Sequence, residues 1–140
     1  MIGAARAEVH PEELASVPLF QELTPAELEL VARCALREVV PAGLTVTTLG
    51  ERGDRFYVIE DGRARVTQDS KWLGELGAGD FFGEIALFEY EWRTATVQAA
   101  TSMHLICIPK RLFDEVIAAA PELGERVAAA ARERLARSRD

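Results

Sequence analysis

Apolar and polar positions divide the chain into three stretches of different period. From about residue 11 to 34 the period is helical: Pro11, Glu12 and Glu13 open a short helix, Pro18 interrupts it, and Leu28, Val31 and Ala32 return at helical spacing. Thr24-Pro25-Ala26-Glu27 reads as a capping box, with Thr24 as N-cap, Pro25 in the first turn and Glu27 reaching back. Leu19 and Phe20, between the two helices, form an apolar plug.

From about residue 36 to 109 the pattern is strand-like and punctuated by glycine. Residues 44–49, 56–59, 64–68, 94–99 and 105–108 are short runs rich in β-branched and apolar side chains. Turn residues bound them: Pro41-Ala42-Gly43, Gly50-Glu51-Arg52-Gly53-Asp54, Asp61-Gly62 and Gly77-Ala78-Gly79-Asp80. Alternation is plain over residues 63–67, with Ala64 and Val66 inward, and Glu60-Asp61-Gly62-Arg63 reads as a hairpin turn. Many short strands at this spacing predict a β-barrel or jelly roll.

From Lys110 the period is helical again. Leu112, Phe113, Val116 and Ile117 make one stripe, and Pro121 separates it from a last helix carrying Leu123, Val127, Ala131 and Leu135. Arg126, Arg132, Arg134, Arg137 and Arg139 are interleaved with acids and read as a solvated face. The fold class expected is therefore mainly β with flanking helices from both chain ends. Residues 1–16 are expected to be an N-terminal helical extension and 17–140 the functional domain.

Composition narrows the function. The chain has 140 residues, 49% of them apolar, and a net charge of −7. A domain of this size buries roughly two thirds of its unfolded surface and needs no staples. The acidic balance argues against a surface for duplex nucleic acid or anionic membrane. Cys34 and Cys107 sit in apolar patterns and are expected to be buried free thiols. No membrane-length apolar run and no signal-peptide pattern is present, so a cytoplasmic chain is the expectation. His10 and His104 are isolated, so no metal site is expected. No serine has a nucleophile-elbow setting, so no catalytic residue is expected either.

One interruption of the β region carries candidate chemistry. Phe81-Phe82-Gly83-Glu84-Ile85-Ala86-Leu87 leaves the strand pattern, and Arg93-Thr94-Ala95-Thr96-Val97 follows it. Gly83 permits a close backbone turn. Glu84 to Leu87 suits one helical turn whose first N–H groups face a phosphate. Glu84 suits a sugar hydroxyl, and Arg93, at the start of the next strand, suits a forked grip on the phosphate. The alternative is an ion pair between Glu84 and Arg93 that only fixes the turn.

These two runs resemble the phosphate-binding cassette of cyclic nucleotide-binding domains, found in cAMP-responsive bacterial regulators, regulatory subunits of cAMP-dependent kinase and cyclic nucleotide-gated channels. Residues 53–62 and 76–81 are also similar to the family's glycine-bounded strand and to its turn into the cassette, and the resemblance spans roughly residues 17–125. It implies a double-stranded β-helix with N-terminal helices, an internal cassette helix and C-terminal lid helices. It implies that Glu84 accepts from the ribose 2′-hydroxyl, that the backbone of Gly83, Ile85 and Ala86 approaches the phosphate, that Arg93 pairs with it, and that Thr94 touches phosphate and base. Glu89, Tyr90, Glu91 and Trp92 depart from the glycine and proline common in that link.

The function implied is a non-enzymatic sensor of cAMP or cGMP, without a cofactor, that relays binding through movement of the C-terminal helix at about residues 122–137. Its partners would be the nucleotide and an unseen effector domain or protein, or a second copy in a homodimer. Nucleic acid and membrane are not expected partners. Two alternatives of other classes stay open. One is a ligand-free, degenerate domain of the same fold serving as a dimerisation or docking scaffold. The other is a fragment of a larger transcription regulator or of a cyclic nucleotide-regulated enzyme or transporter.

Overall fold

The computed structural model of the chain describes residues 6–48, 50, 53–83 and 95–138. The N-terminal part opens with a strand, β1 (Arg6–Glu8), which pairs antiparallel with β2 (Leu36–Val40), within the segment 1–16 expected as a helical extension. Then come α1 (Pro11–Leu14), a 3-10 turn (Pro18–Phe20) and α2 (Pro25–Cys34). The expected capping box is present. Glu27 N–H donates to Thr24 Oγ1 at 3.2 Å, and Thr24 N–H donates to Glu27 Oε1 at 2.8 Å. Leu19 and Phe20 are buried as the plug between the helices.

Seven further strands follow: β3 (Thr45–Thr47), β4 (Arg55–Asp61), β5 (Ala64–Gln68), β6 (Lys71–Leu76), β7 (Phe81–Phe82), β8 (Thr96–Ala99) and β9 (Met103–Pro109). They form a five-stranded antiparallel sheet, β1-β2-β9-β4-β7, and a four-stranded one, β3-β8-β5-β6. This is the jelly-roll architecture, with one correction: among the described residues the two sheets do not close into a barrel. Helices α3 (Lys110–Ala119) and α4 (Pro121–Ser138) complete the chain. No described helix is long and apolar enough to cross a membrane.

The Asp61-Gly62 turn is also corrected. It is not a hairpin, because β4 and β5 belong to different sheets. Gly62 has φ +99°, and a Cβ there would collide with the Ser102 carbonyl oxygen. The chain is changing sheets at a corner held by Ala100 N–H donating to the Arg63 carbonyl at 2.9 Å and Arg63 N–H donating to Thr101 Oγ1 at 3.0 Å. The tight hairpin lies one connection later. Between β5 and β6, Asp69 and Ser70 both take positive φ, 50° and 67°, which is the conformation of a type I′ turn.

Alternate residues of the five-stranded sheet feed two apolar clusters. Phe56, Val58, Ile106 and Ile108 face the helices and pack with Leu14, Phe20, Val31, Phe113, Val116, Leu123 and Val127. Tyr57, Ile59, Leu105 and Cys107 face the other sheet and pack with Val40, Ala64, Phe82, Val97, Ala99 and Met103. Cys34 and Cys107 are buried and form no disulfide, as expected, one in each cluster.

Candidate ligand site

The site is framed by the two chain segments that lead into and out of the interrupted β region. Leading in, residues 77–80 form a turn: Asp80 N–H donates to the Gly77 carbonyl at 3.0 Å, and Gly79 takes φ +93°. The Asp80 carboxylate accepts from Gly77 N–H at 2.7 Å. Two backbone bonds then fasten this turn to β4: Gly79 N–H to the Ile59 carbonyl and Ile59 N–H to the Asp80 carbonyl, both 2.8 Å. Strand β7 starts from that anchor, with Tyr57 opposite Phe82 and Val58 opposite Phe81.

Because strand neighbours point to opposite faces, β7 sends one ring each way. Phe82 goes into the inter-sheet cluster and Phe81 packs against the helix-side one. Gly83 comes next with φ +87°. A side chain would strain this left-handed backbone, so glycine suits the point where the chain leaves the strand. Leading out, Ala95 precedes β8, which pairs with β3 on one side and β5 on the other. The buried Thr47 hydroxyl donates to the Ala95 carbonyl at 3.4 Å.

The chain therefore leaves one sheet at Gly83 and rejoins the facing sheet at Ala95. Of the candidate residues, Gly83 is placed at this departure point. Glu84, Ile85, Ala86, Arg93 and Thr94, the cassette helix, and Glu89 to Trp92 lie outside the described residues.

Several charges on the described strands pair with each other. Arg37 Nε donates to Glu60 Oε1 at 2.7 Å, and its Nη2 donates to Glu60 Oε2 at 2.9 Å and to Glu13 Oε2 at 2.7 Å. The Glu60 hydrogen bond, ahead of the Glu13 contacts, raises the pKa of Arg37 against some loss of solvation. Arg37 thus clamps α1 onto the sheet. Glu38, buried on the inter-sheet face, accepts from Arg55 Nη1 at 3.5 Å. Among the described residues no cluster of histidine, cysteine or acid could hold a metal ion.

The C-terminal helix reaches the same strand from behind. The Arg134 guanidinium carbon lies 5.1 Å from the Phe81 ring centroid. Phe81 in turn contacts Phe56 at 5.6 Å, and Phe56 contacts Phe113 of α3 at 4.9 Å. Gly124 lets α4 cross α3 closely, since a Cβ there would meet Ile117 Cγ2 at 2.6 Å. Arg126 is only half-exposed. Its Nη1 lies 3.7 Å from Glu22 Oε2, while among the described residues its buried Nε and Nη2 find no hydrogen-bond acceptor. Leu123, Val127 and Ala131 are buried as the apolar stripe expected, and the side chain of Leu135 lies outside the described residues. The solvated-arginine reading of this helix is therefore corrected for Arg126 and Arg134 and holds for the exposed Arg132. Sequence periodicity gives no sign of Phe81 and Arg134 meeting, because tertiary packing alone brings them together.

Comparison with known proteins follows the same outline. The family model described as "Cyclic nucleotide-binding domain" matches residues 37–120. A cyclic nucleotide-gated potassium channel of Mesorhizobium japonicum is 40% identical over 112 residues, which is 80% of this chain and 31% of the channel. A cAMP-dependent protein kinase regulatory subunit of Yarrowia lipolytica is 35% identical over 114 residues, covering 80% of this chain and 30% of that protein. The chain thus spans about a third of the length of these relatives. Among solved structures, the regulatory domain of Toxoplasma gondii PKA, co-crystallised with cAMP, superposes with a TM-score of 0.76 at 28% identity over 86% of this chain and 48% of its own.

Proposed function

Since the chain belongs to the cyclic nucleotide-binding domain family, a regulatory fold of the kind found in kinase regulatory subunits and nucleotide-gated channels, we propose that it is a non-enzymatic sensor of cAMP, with cGMP as the second candidate ligand. The observation that carries this reading is the family match across residues 37–120, which runs through the whole candidate segment and both strands that frame it. Gly83 adds local support, since its left-handed backbone suits a close approach to a ligand.

In this reading Glu84 accepts from the ribose hydroxyl, and the backbone of Gly83, Ile85 and Ala86 lies against the cyclic phosphate. Arg93 pairs with the phosphate, and Thr94 touches phosphate and base. Local donors are needed because a net charge of −7 opposes an anionic diester at long range. Residues 17–140 form the binding unit, with 1–16 as an extension whose Val9 and Leu14 pack into the helix-side core. Binding is relayed by displacement of α4 to an effector domain, an effector protein or a second copy, in the cytoplasm. A ligand shifts that helix only by its difference in affinity between two helix positions.

Calorimetric titration with cAMP and with cGMP tests the reading. The expected result is one-to-one binding that Arg93→Ala weakens by about 10- to 150-fold, the range for loss of a charge-assisted hydrogen bond. Glu84→Gln is expected to weaken it less. No heat with either nucleotide, or equal affinity in all three proteins, would overturn the assignment.

A further inference from the structure

We infer that Phe81 and Arg134 form the joint through which the strand entering the candidate site and the C-terminal helix move together. Use of this joint by a ligand rests on the sensor reading above; the joint itself rests on geometry alone. Strand β7 is only two residues long, and both of its rings are engaged. Phe82 lies on Tyr57 inside the roll, while Phe81 contacts both Phe56 and the Arg134 guanidinium on the helix side. Gly83, where the candidate segment begins, directly follows Phe82 in the chain. A displacement of the backbone at Gly83 is therefore carried through Phe82 to one core and through Phe81 to α4.

The seat of α4 favours a responsive joint. Among the described residues the buried Nε and Nη2 of Arg126 have no acceptor, and the acid paired with its Nη1, Glu22, is well exposed at 3.7 Å. Orphaned donors of this kind oppose burial. The guanidinium of Arg126, in the first half of the helix, is thus poorly satisfied, while Arg134 contacts Phe81 in its later part. Phe81 and Arg134 are positioning residues in this account: neither is assigned a contact with the nucleotide.

The test is a double-mutant cycle on the full chain with Phe81→Leu and Arg134→Gln, read by amide hydrogen exchange in α4 and in β7. Each single change is expected to speed exchange in both elements by about 2- to 5-fold, the range of one cation–π contact. The double variant is expected to be no faster than the faster single one. Phe81→Tyr, which keeps the ring, restores slow exchange, and Arg132→Gln on the exposed face changes nothing. With saturating cAMP, wild type shows altered exchange in α4, and Arg134→Gln shows binding with that alteration reduced. Additive effects of the two changes, or no change in β7 on substituting Arg134, would overturn the joint. Failure of cAMP to bind wild type would overturn the sensor reading, and the ligand-free cycle would still decide the joint. If Phe81→Leu does not fold, the response of β7 to Arg134→Gln decides.

Discussion

Phe82 lies nearly parallel to Tyr57, with ring centroids 4.8 Å apart and an interplanar angle of 15°. The two residues are directly opposite in the β4–β7 ladder. This stack is one of two side-chain anchors, with Phe81 on the other face, for a strand too short to hold itself by two pairs of residues. Removing the ring leaves a cavity between the sheets and loosens the backbone at Gly83. Phe82→Ala is expected to cost about 3–5 kcal/mol in urea denaturation, the range for large-to-small core changes. Phe82→Leu should cost clearly less. A Phe82→Ala protein as stable as wild type would show that β7 is held by something else.

Gly62 and Gly43 both have positive φ, +99° and +89°, but they differ in surroundings. A Cβ at Gly43 meets nothing within 4 Å, whereas one at Gly62 runs into backbone at Ser102. Gly43→Ala is expected to cost about 1–2 kcal/mol, the left-handed penalty alone. Gly62→Ala should cost substantially more, because the 101–103 segment must shift as well. Thermal melting of the two variants decides this, and equal losses would mean that the corner yields without resistance.

Glu13 ties α1 to its own start and to the sheet. His10 N–H donates to its carboxylate, which is the largest influence lowering its pKa, and Arg37 lowers it further against some desolvation. A carboxyl with a depressed folded pKa stabilises the fold above its unfolded value, about 4.3, and that contribution fades as pH falls through the folded value. Glu13→Gln should therefore be less stable than wild type at neutral pH, and the two stability curves should converge below about pH 4. A constant gap down to low pH would exclude the carboxylate as the source.

Arg126 offers the opposite expectation, a gain on removal. Among the described residues two buried nitrogens of its guanidinium have no acceptor, and its contact with Glu22 is long and solvent-screened. Arg126→Met keeps the aliphatic packing and removes the orphaned groups, so its melting temperature should equal or exceed that of wild type. A loss above about 1 kcal/mol would show that the guanidinium does more than the geometry indicates.

Local signals made much of this fold legible, and long-range ones hid the rest. The Thr24–Glu27 box and the Ala64–Gln68 strand were readable because cap chemistry and alternation lie within a few residues. Strand β2 was not, since Arg37 and Glu38 interrupt its apolar run, and only the fold reveals Glu60, Glu13 and Arg55 as their partners. Strand β6 was hidden by an irregularity opposite Val66 and Thr67 that breaks the alternation of Trp72 and Leu73. Asp61-Gly62 carries the hairpin signature yet serves a corner, while the real hairpin uses Asp69 and Ser70 without glycine. At the candidate site, the special backbone of Gly83 was readable from its neighbours. The meeting of Phe81 with Arg134 depends on how α4 lands and has no local signature.

Strands β4 and β9 give every other side chain to each of the two apolar clusters, so neither core owns its own scaffold. Melting one cluster strips the opposite face of the same backbone of its register. The helical layer and the inter-sheet layer are consequently expected to unfold in one cooperative step, with near-ultraviolet signals and helix content lost at a common midpoint.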